Sequence, residues 1–147
     1  MYMNMSFQEK SAWGLLAGLV VMSFWYFPKA FTIAQHAYNP VALVAISVVC
    51  VIGLVIFEAV YHGVIAVSGG DEIDERDRLI DMKAERNAGL ILGIALFVLI
   101  GRIIATTAVP DLGQMTPLVI AVWIMLAITV SEISKLLFQL WYYRTGA

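Results

Sequence analysis

The chain has 147 residues, a formal net charge of −2 and 61% hydrophobic residues, with a mean hydropathy of +0.86. Soluble domains carry about 45–50% apolar residues, so a water-soluble fold of this size could not hide such a surface, whereas a bilayer accepts it as helical runs of about 20 residues. The slightly acidic balance argues against a nucleic-acid surface, and Cys50, the sole cysteine, excludes an intrachain disulfide framework and a cysteine-based metal site.

Four spans follow from the pattern. The first runs from Ala12 to about Phe27, with an option to continue through Pro28 to Ala34 as a kinked helix. Lys10 precedes an apolar run, as in a signal peptide, but no small-residue cleavage motif follows and the segment is expected to stay. The second span, Val41 to Val67, is entered through Asn39-Pro40 and carries Cys50 as a small apolar filler. The third spans Ala88 to Ala108, ending at Pro110. The fourth covers Thr116 to about Tyr143, with Pro117 suited to its first turn. The fold class expected is therefore all-α integral membrane, a four-transmembrane-helix bundle in one domain.

Between the second and third spans lies residues 69–87, where charge is concentrated. Eleven of the twenty Asp, Glu, Lys and Arg residues fall between Asp71 and Arg86. Gly69-Gly70 ends the second span, Asp71 can cap a new helix, and Glu72–Arg76 and Asp74–Arg78 are acid-before-base pairs at i,i+4. The expectation is a charged cytoplasmic helical extension, joined to the third span directly or through a break near Asn87-Ala88-Gly89. It reads either as a solvated connector or as a docking surface for a soluble partner, with Asp74, Glu75, Arg76, Asp77 and Arg78 as contact candidates. Its seven acids against four bases speak against anchoring on anionic lipid. Basic residues favour the cytoplasmic side, and Lys10, Arg76, Arg78, Lys83, Arg86 and Arg144 then put both termini and this segment inside. Trp25 and Tyr26 would sit near the outer interface and Trp141, Tyr142 and Tyr143 near the inner one.

The string Asp74-Glu75-Arg76-Asp77-Arg78-Leu79-Ile80, with Lys83-Ala84 and Arg86 after it, resembles the charged loop of small bacterial membrane proteins of the DUF2178 type. The likeness covers about a dozen residues. It implies a small prokaryotic multi-span protein with a D-E-R-D type cytoplasmic loop, encoded near helix-turn-helix regulators, and brings no activity or catalytic residue with it.

Glu58, Arg102, Glu132 and Lys135 lie inside the proposed spans, with His62 one turn after Glu58. Ionised groups in hydrocarbon cost at least about 2.5–3.5 kcal/mol, so they face protein or water. Glu58 and His62 share one helix face, and Glu132 and Lys135 share another, extended by Thr129 and Gln139. If the second and fourth helices pack together, Glu58, His62, Glu132 and Lys135 form one polar cluster. That cluster reads as a structural network, as a proton or cation pathway in which His62 relays protons, or as a metal site. The metal reading lacks a second histidine and must tolerate a lysine. Arg102 is placed to snorkel towards the outer face or to meet helix C-terminal carbonyls. Gly14 and Gly18, and Gly89, Gly93 and Gly101, mark close helix approaches. No catalytic motif, metal site or cofactor site is expected. The reading drawn from the residues is a non-enzymatic, homo-oligomeric protein of a bacterial inner (plasma) membrane, a dimer being the simplest form, with a regulatory or accessory role through its charged segment. The alternative is a proton or cation channel or transporter built on the Glu58–Lys135 cluster.

Overall fold

The computed structural model describes residues 6–67, 75–109, 112–113 and 115–146. Four long helices fill it: α1, Phe7–Thr32; α2, Pro40–Val67; α3, Glu75–Ala108; and α4, Pro117–Thr145. Each is long and apolar enough to cross a membrane, and they run alternately up and down, the architecture of a multi-pass membrane protein.

The helix ends follow local chemistry. Ser6 caps α1 by accepting from the Glu9 amide, so the helix begins at Phe7, five residues before the expected Ala12. It passes through Pro28 and ends in a turn of π-helix, Ile33–Ala37, which stops at Tyr38 in the left-handed region (φ 43°). Asn39 then starts α2, its side chain accepting from the Ala42 amide at 3.0 Å and Pro40 leading the first turn, where a missing amide is harmless. Thr116 caps α4 and Pro117 opens it. At the far end Gly146 (φ 70°) adopts the left-handed cap, its amide donating to the Tyr142 carbonyl.

Of the two arrangements open for the charged segment, direct continuation into the third span and a break near Asn87-Ala88-Gly89, the structure has the continuous one. Glu75 to Ala108 is one helix of 34 residues, about 51 Å at 1.5 Å per residue, and so about 20 Å longer than the hydrocarbon core. Its charged turns are not free of the rest. Ile80, Ala84 and Ala88 are buried, and Asp81, Glu85 and Asn87 contact α4 (below). Gly69, Gly70 and Asp71 to Asp74, including the contact candidate Asp74, lie outside the described residues.

Packing is confined to three main pairs: α1 with α2, α1 with α4, and α3 with α4. On α1, Gly14 and Gly18 face the Tyr61 and Phe57 rings of α2, whereas Ala12 and Leu16 meet Leu136 and Leu140 of α4. Successive helical residues step by about 100°, so these are nearly opposite sides of α1. On α4, Leu136 and Leu140 meet α1, and Ser131 on nearly the opposite side donates to the Ala88 carbonyl of α3 at 2.9 Å. The helices therefore stand in a single layer in the order α2–α1–α4–α3 rather than as a closed four-cornered bundle. A second core joins Tyr26, Phe27, Ala30, Ala34 and Leu43 to Val119 and Val122 at the other end. Tyr26 belongs to this core and not to an exposed aromatic belt: it is 4% exposed, and its hydroxyl lies 2.8 Å from Ser47 Oγ. Trp25 is exposed, with Lys29 Nζ 4.3 Å from its ring centre.

Candidate functional site

A single layer has two faces, and helix periodicity assigns residues to them. One is apolar: Val20, Phe24, Phe27, Pro28 and Phe31 of α1 and Leu126 and Ile133 of α4 line an open groove of about 430 Å³. The other face carries the ionisable cluster of Asp81, Glu85, Glu132 and Lys135 with Gln139, towards the end that holds both termini.

Lys135 is the hub of that end. Its ammonium lies 3.3 Å from Asp81 and 3.7 Å from Glu85 of α3, and Gln139, one turn on, donates to Asp81 at 2.7 Å. Two i,i+4 stripes thus interlock, Asp81/Glu85 against Lys135/Gln139. Two neighbouring cavities, with Gln8, Gln139 and Tyr143 in both walls, open beside them. One, of about 230 Å³, lies between Gln8, Ser11 and Leu15 of α1 and Glu132, Lys135, Gln139 and Tyr143 of α4. The other, of about 320 Å³, is lined by Gln8, Asp77, Arg78, Asp81, Gln139 and Tyr143. Further out, Arg144 Nε lies 3.9 Å from the nearly buried Glu9 carboxylate, with its guanidinium 5.5 Å from the Trp13 ring centre. Asn87 donates to the Tyr142 hydroxyl at 2.8 Å.

The expected cluster of Glu58, His62, Glu132 and Lys135 does not form within the chain, because α1 stands between α2 and α4. Tyr61 lies over Gly14 and donates to the Lys10 carbonyl at 2.7 Å. Glu58 has no hydrogen-bond or ion-pair partner among the described residues, and His62 makes an edge-on ring contact with its neighbour Tyr61, centroids 6.3 Å apart. Yet the two pairs share a face. Val51 and Leu54 line a cavity of about 70 Å³ together with Tyr26, Ser47, Cys50, Met125 and Thr129. Glu58 follows Val51 at i+7 and Leu54 at i+4, and Glu132 follows Met125 at i+7. The helix register, set by Tyr61 against Gly14, Leu16 against Leu136, and Ser131 against Ala88, puts Glu58 level with Lys135 and Glu85, and His62 level with Gln139 and Asp81.

The remaining candidates divide sharply. Gly14 and Gly18 sit at the α1–α2 contact, where a Cβ would run into the Tyr61 and Phe57 rings. A Cβ on Gly89, Gly93 or Gly101 would meet open space, so these three do not serve a helix contact within the chain. Glu75, Arg76 and Arg78 are exposed, while Asp77 is half-buried at the cavity wall. Arg102 lies 5.9 Å from the Trp123 ring centre and lines a cavity at the opposite end with Gln35 and Met115. Among the described residues no group of three or more metal-ligating side chains converges.

Sequence reading missed Asp81 and Glu85 as partners of Lys135. The signal is two complementary i,i+4 stripes, Asp81/Glu85 and Lys135/Gln139, which lie far apart in the chain and meet only through the α3–α4 packing. Comparison with known proteins returns no matching family model, curated protein or solved structure.

Proposed function

We propose that the chain is a non-enzymatic membrane protein that presents the charged first turns of α3 to a soluble protein partner. The observation that carries this reading is the fixed placement of those turns. Asp81 and Glu85 clasp Lys135 while Ile80, Ala84 and Ala88 bury against the layer. The opposite side of the same turns leaves Arg76, Leu79, Met82, Lys83 and Arg86 exposed. Basic side chains interleaved with two bare apolar ones form a surface suited to an acidic, partly apolar protein segment. The resemblance to the DUF2178 type rests on these same turns and supports a regulatory or accessory role.

Orientation belongs to the proposal. Seven of the nine Lys and Arg residues lie at the end with the termini, and Lys29 and Arg102 at the other. This asymmetry supports a bacterial inner membrane with the termini and the charged turns in the cytoplasm. A proton or cation pathway is the second reading, carried by the shared face of Glu58, His62, Glu132 and Lys135. It gains less support, because the carboxylates gather at one end and the wall beyond them is Leu19, Met22, Val51, Leu54 and Met125, relieved only by hydroxyls.

Photo-crosslinking amino acids placed at Met82 and Leu79 in living cells test the docking reading. A discrete adduct with one soluble protein is expected, abolished by Arg76→Glu with Lys83→Glu and unaffected by Glu58→Gln. Adducts with lipid or with the chain itself alone would refute it. Proton flux into liposomes from purified wild type, stopped by Glu58→Gln or Glu132→Gln, would establish the second reading instead.

A further inference from the structure

We infer that two copies of this chain pack polar face to polar face, and that the second copy completes the Glu58–His62 site. In one copy the site is half built. Glu58 and His62 project from the polar face of α2, an edge helix held mainly by α1, and only 6% of the apolar stretch of α2 is buried, against 22% in α1 and in α4. Glu58 has no partner among the described residues, and a carboxylate at the margin of the hydrocarbon region is stabilised by a cation of its own. The complementary groups exist on the same face of the chain but beyond α1, on the other half of the layer: Lys135 on α4 and the Asp81/Glu85 stripe on α3.

A twofold axis along the membrane normal brings them together. Membrane homodimers inserted in one orientation have this axis, and it makes an isologous contact. Applied to the polar face of the layer α2–α1–α4–α3, it reverses the order in the second copy. α1 then opposes the second copy's α4, and α2 opposes its α3. The axis preserves height, so the register within one chain fixes what meets across the interface. Glu58 stands level with Lys135 and Glu85; Lys135 on α4 is turned towards α3, which in the second copy leads to α2 of the first, so the ammonium is the cation between the two carboxylates. His62 stands level with Asp81 and just below Glu85. One copy's carboxylate therefore meets a lysine, its imidazole meets a carboxylate stripe, and each contact occurs twice. The polar groups of α1, Gln8 and Ser11, come opposite the Gln139–Tyr143 end of the second copy's α4, at the height the Leu16–Leu136 register gives them. The opposite arrangement, apolar face to apolar face, would leave Glu58 and His62 facing lipid.

The contact is tested in intact membranes by co-expressing two tagged forms in a Cys50→Ser background, one carrying His62→Cys and the other Glu85→Cys. The expected result is a mixed-tag dimer under a short bifunctional maleimide. Phe24→Cys, on the apolar face, should cross-link at least tenfold less. Size analysis in mild detergent supplies the second readout. Glu58→Lys should weaken the dimer about tenfold or more, and adding Lys135→Glu in the same chain should restore it, as a charge swap across an interface does. A monomer at all concentrations, cross-linking through Phe24→Cys in place of the polar face, a His62–Glu85 cross-link inside one chain, or no recovery in the swapped variant would each overturn the proposal. Its failure leaves the docking reading intact, since Arg76, Met82 and Lys83 lie off this face.

Discussion

Gly14 and Gly18 are defined by what lies against them. The Tyr61 and Phe57 rings occupy the volume a side chain would need, so Gly18→Leu forces ring and backbone apart at an expected cost of about 1–3 kcal/mol. In a thermal melt in detergent this variant should unfold well below wild type, whereas Gly93→Leu, whose site opens outward, should melt within a degree or two of it. Ser131 offers a gentler test. Its bond to the Ala88 carbonyl is the buried polar link between α3 and α4, and Ser131→Ala should cost about 0.5–1 kcal/mol by the same assay, in keeping with hydrogen bonds measured between membrane helices. Sequence alone shows small residues at four-residue spacing in both α1 and α3 and cannot say which set has a neighbour. The difference lies in bulky aromatics on a different helix, Phe57 and Tyr61, whose approach is a property of tertiary register. For the same reason Glu58 and Glu132 can be assigned a depth from sequence, but not the helix that stands between them.

At the scale of elements, the spans were legible because lipid imposes length and apolarity, and those quantities are local. The ends of α1 were less so: Ser6 supplies a cap ahead of the apolar run, and Pro28 lies in the last two turns without ending the helix. Continuity of α3 is the finding with mechanical meaning. A helix of 34 residues without interruption couples the charged turns to the apolar stretch as one rod. Inserting two glycines after Asn87 should leave the Asp81–Lys135 clasp in place while rotating the apolar part by about 200° relative to it. Hydrogen exchange should then show protection lost from Glu85 to Leu92, and partner cross-linking at Met82 should survive. Simple replacement of the clasp lysine, Lys135→Met, removes two ion pairs that are open to solvent on the acidic side. It should lower stability by no more than about 1 kcal/mol, read as a small shift in the melt.

The whole molecule has two unlike faces. An apolar carbene precursor dissolved in the bilayer should label Phe24 and Phe31 strongly, and should label Leu15 and Leu54 weakly if the polar face is covered by a second copy. Equal labelling of both faces would mark a layer wetted by lipid on each side. The layer itself was not foreseeable from the sequence, because up-and-down order with short connections is equally compatible with a closed bundle. What decides between them is the placement of contact stripes on α1 and α4 at nearly opposite sides, a relation between helices far apart in the chain.

The α1–α4 seam has a consequence for assembly. Among the described residues, most of the packing that holds the N-terminal half to the C-terminal half lies along it, from Glu9–Arg144 at one end to Ala30 and Val122 at the other. The chain is thus two hairpins, α1–α2 and α3–α4, joined along one long suture. Such a chain can be made in two pieces. Fragments 1–70 and 71–147, translated separately into the same membrane, should find each other and co-purify, and Leu16→Trp, which overfills the suture, should prevent it.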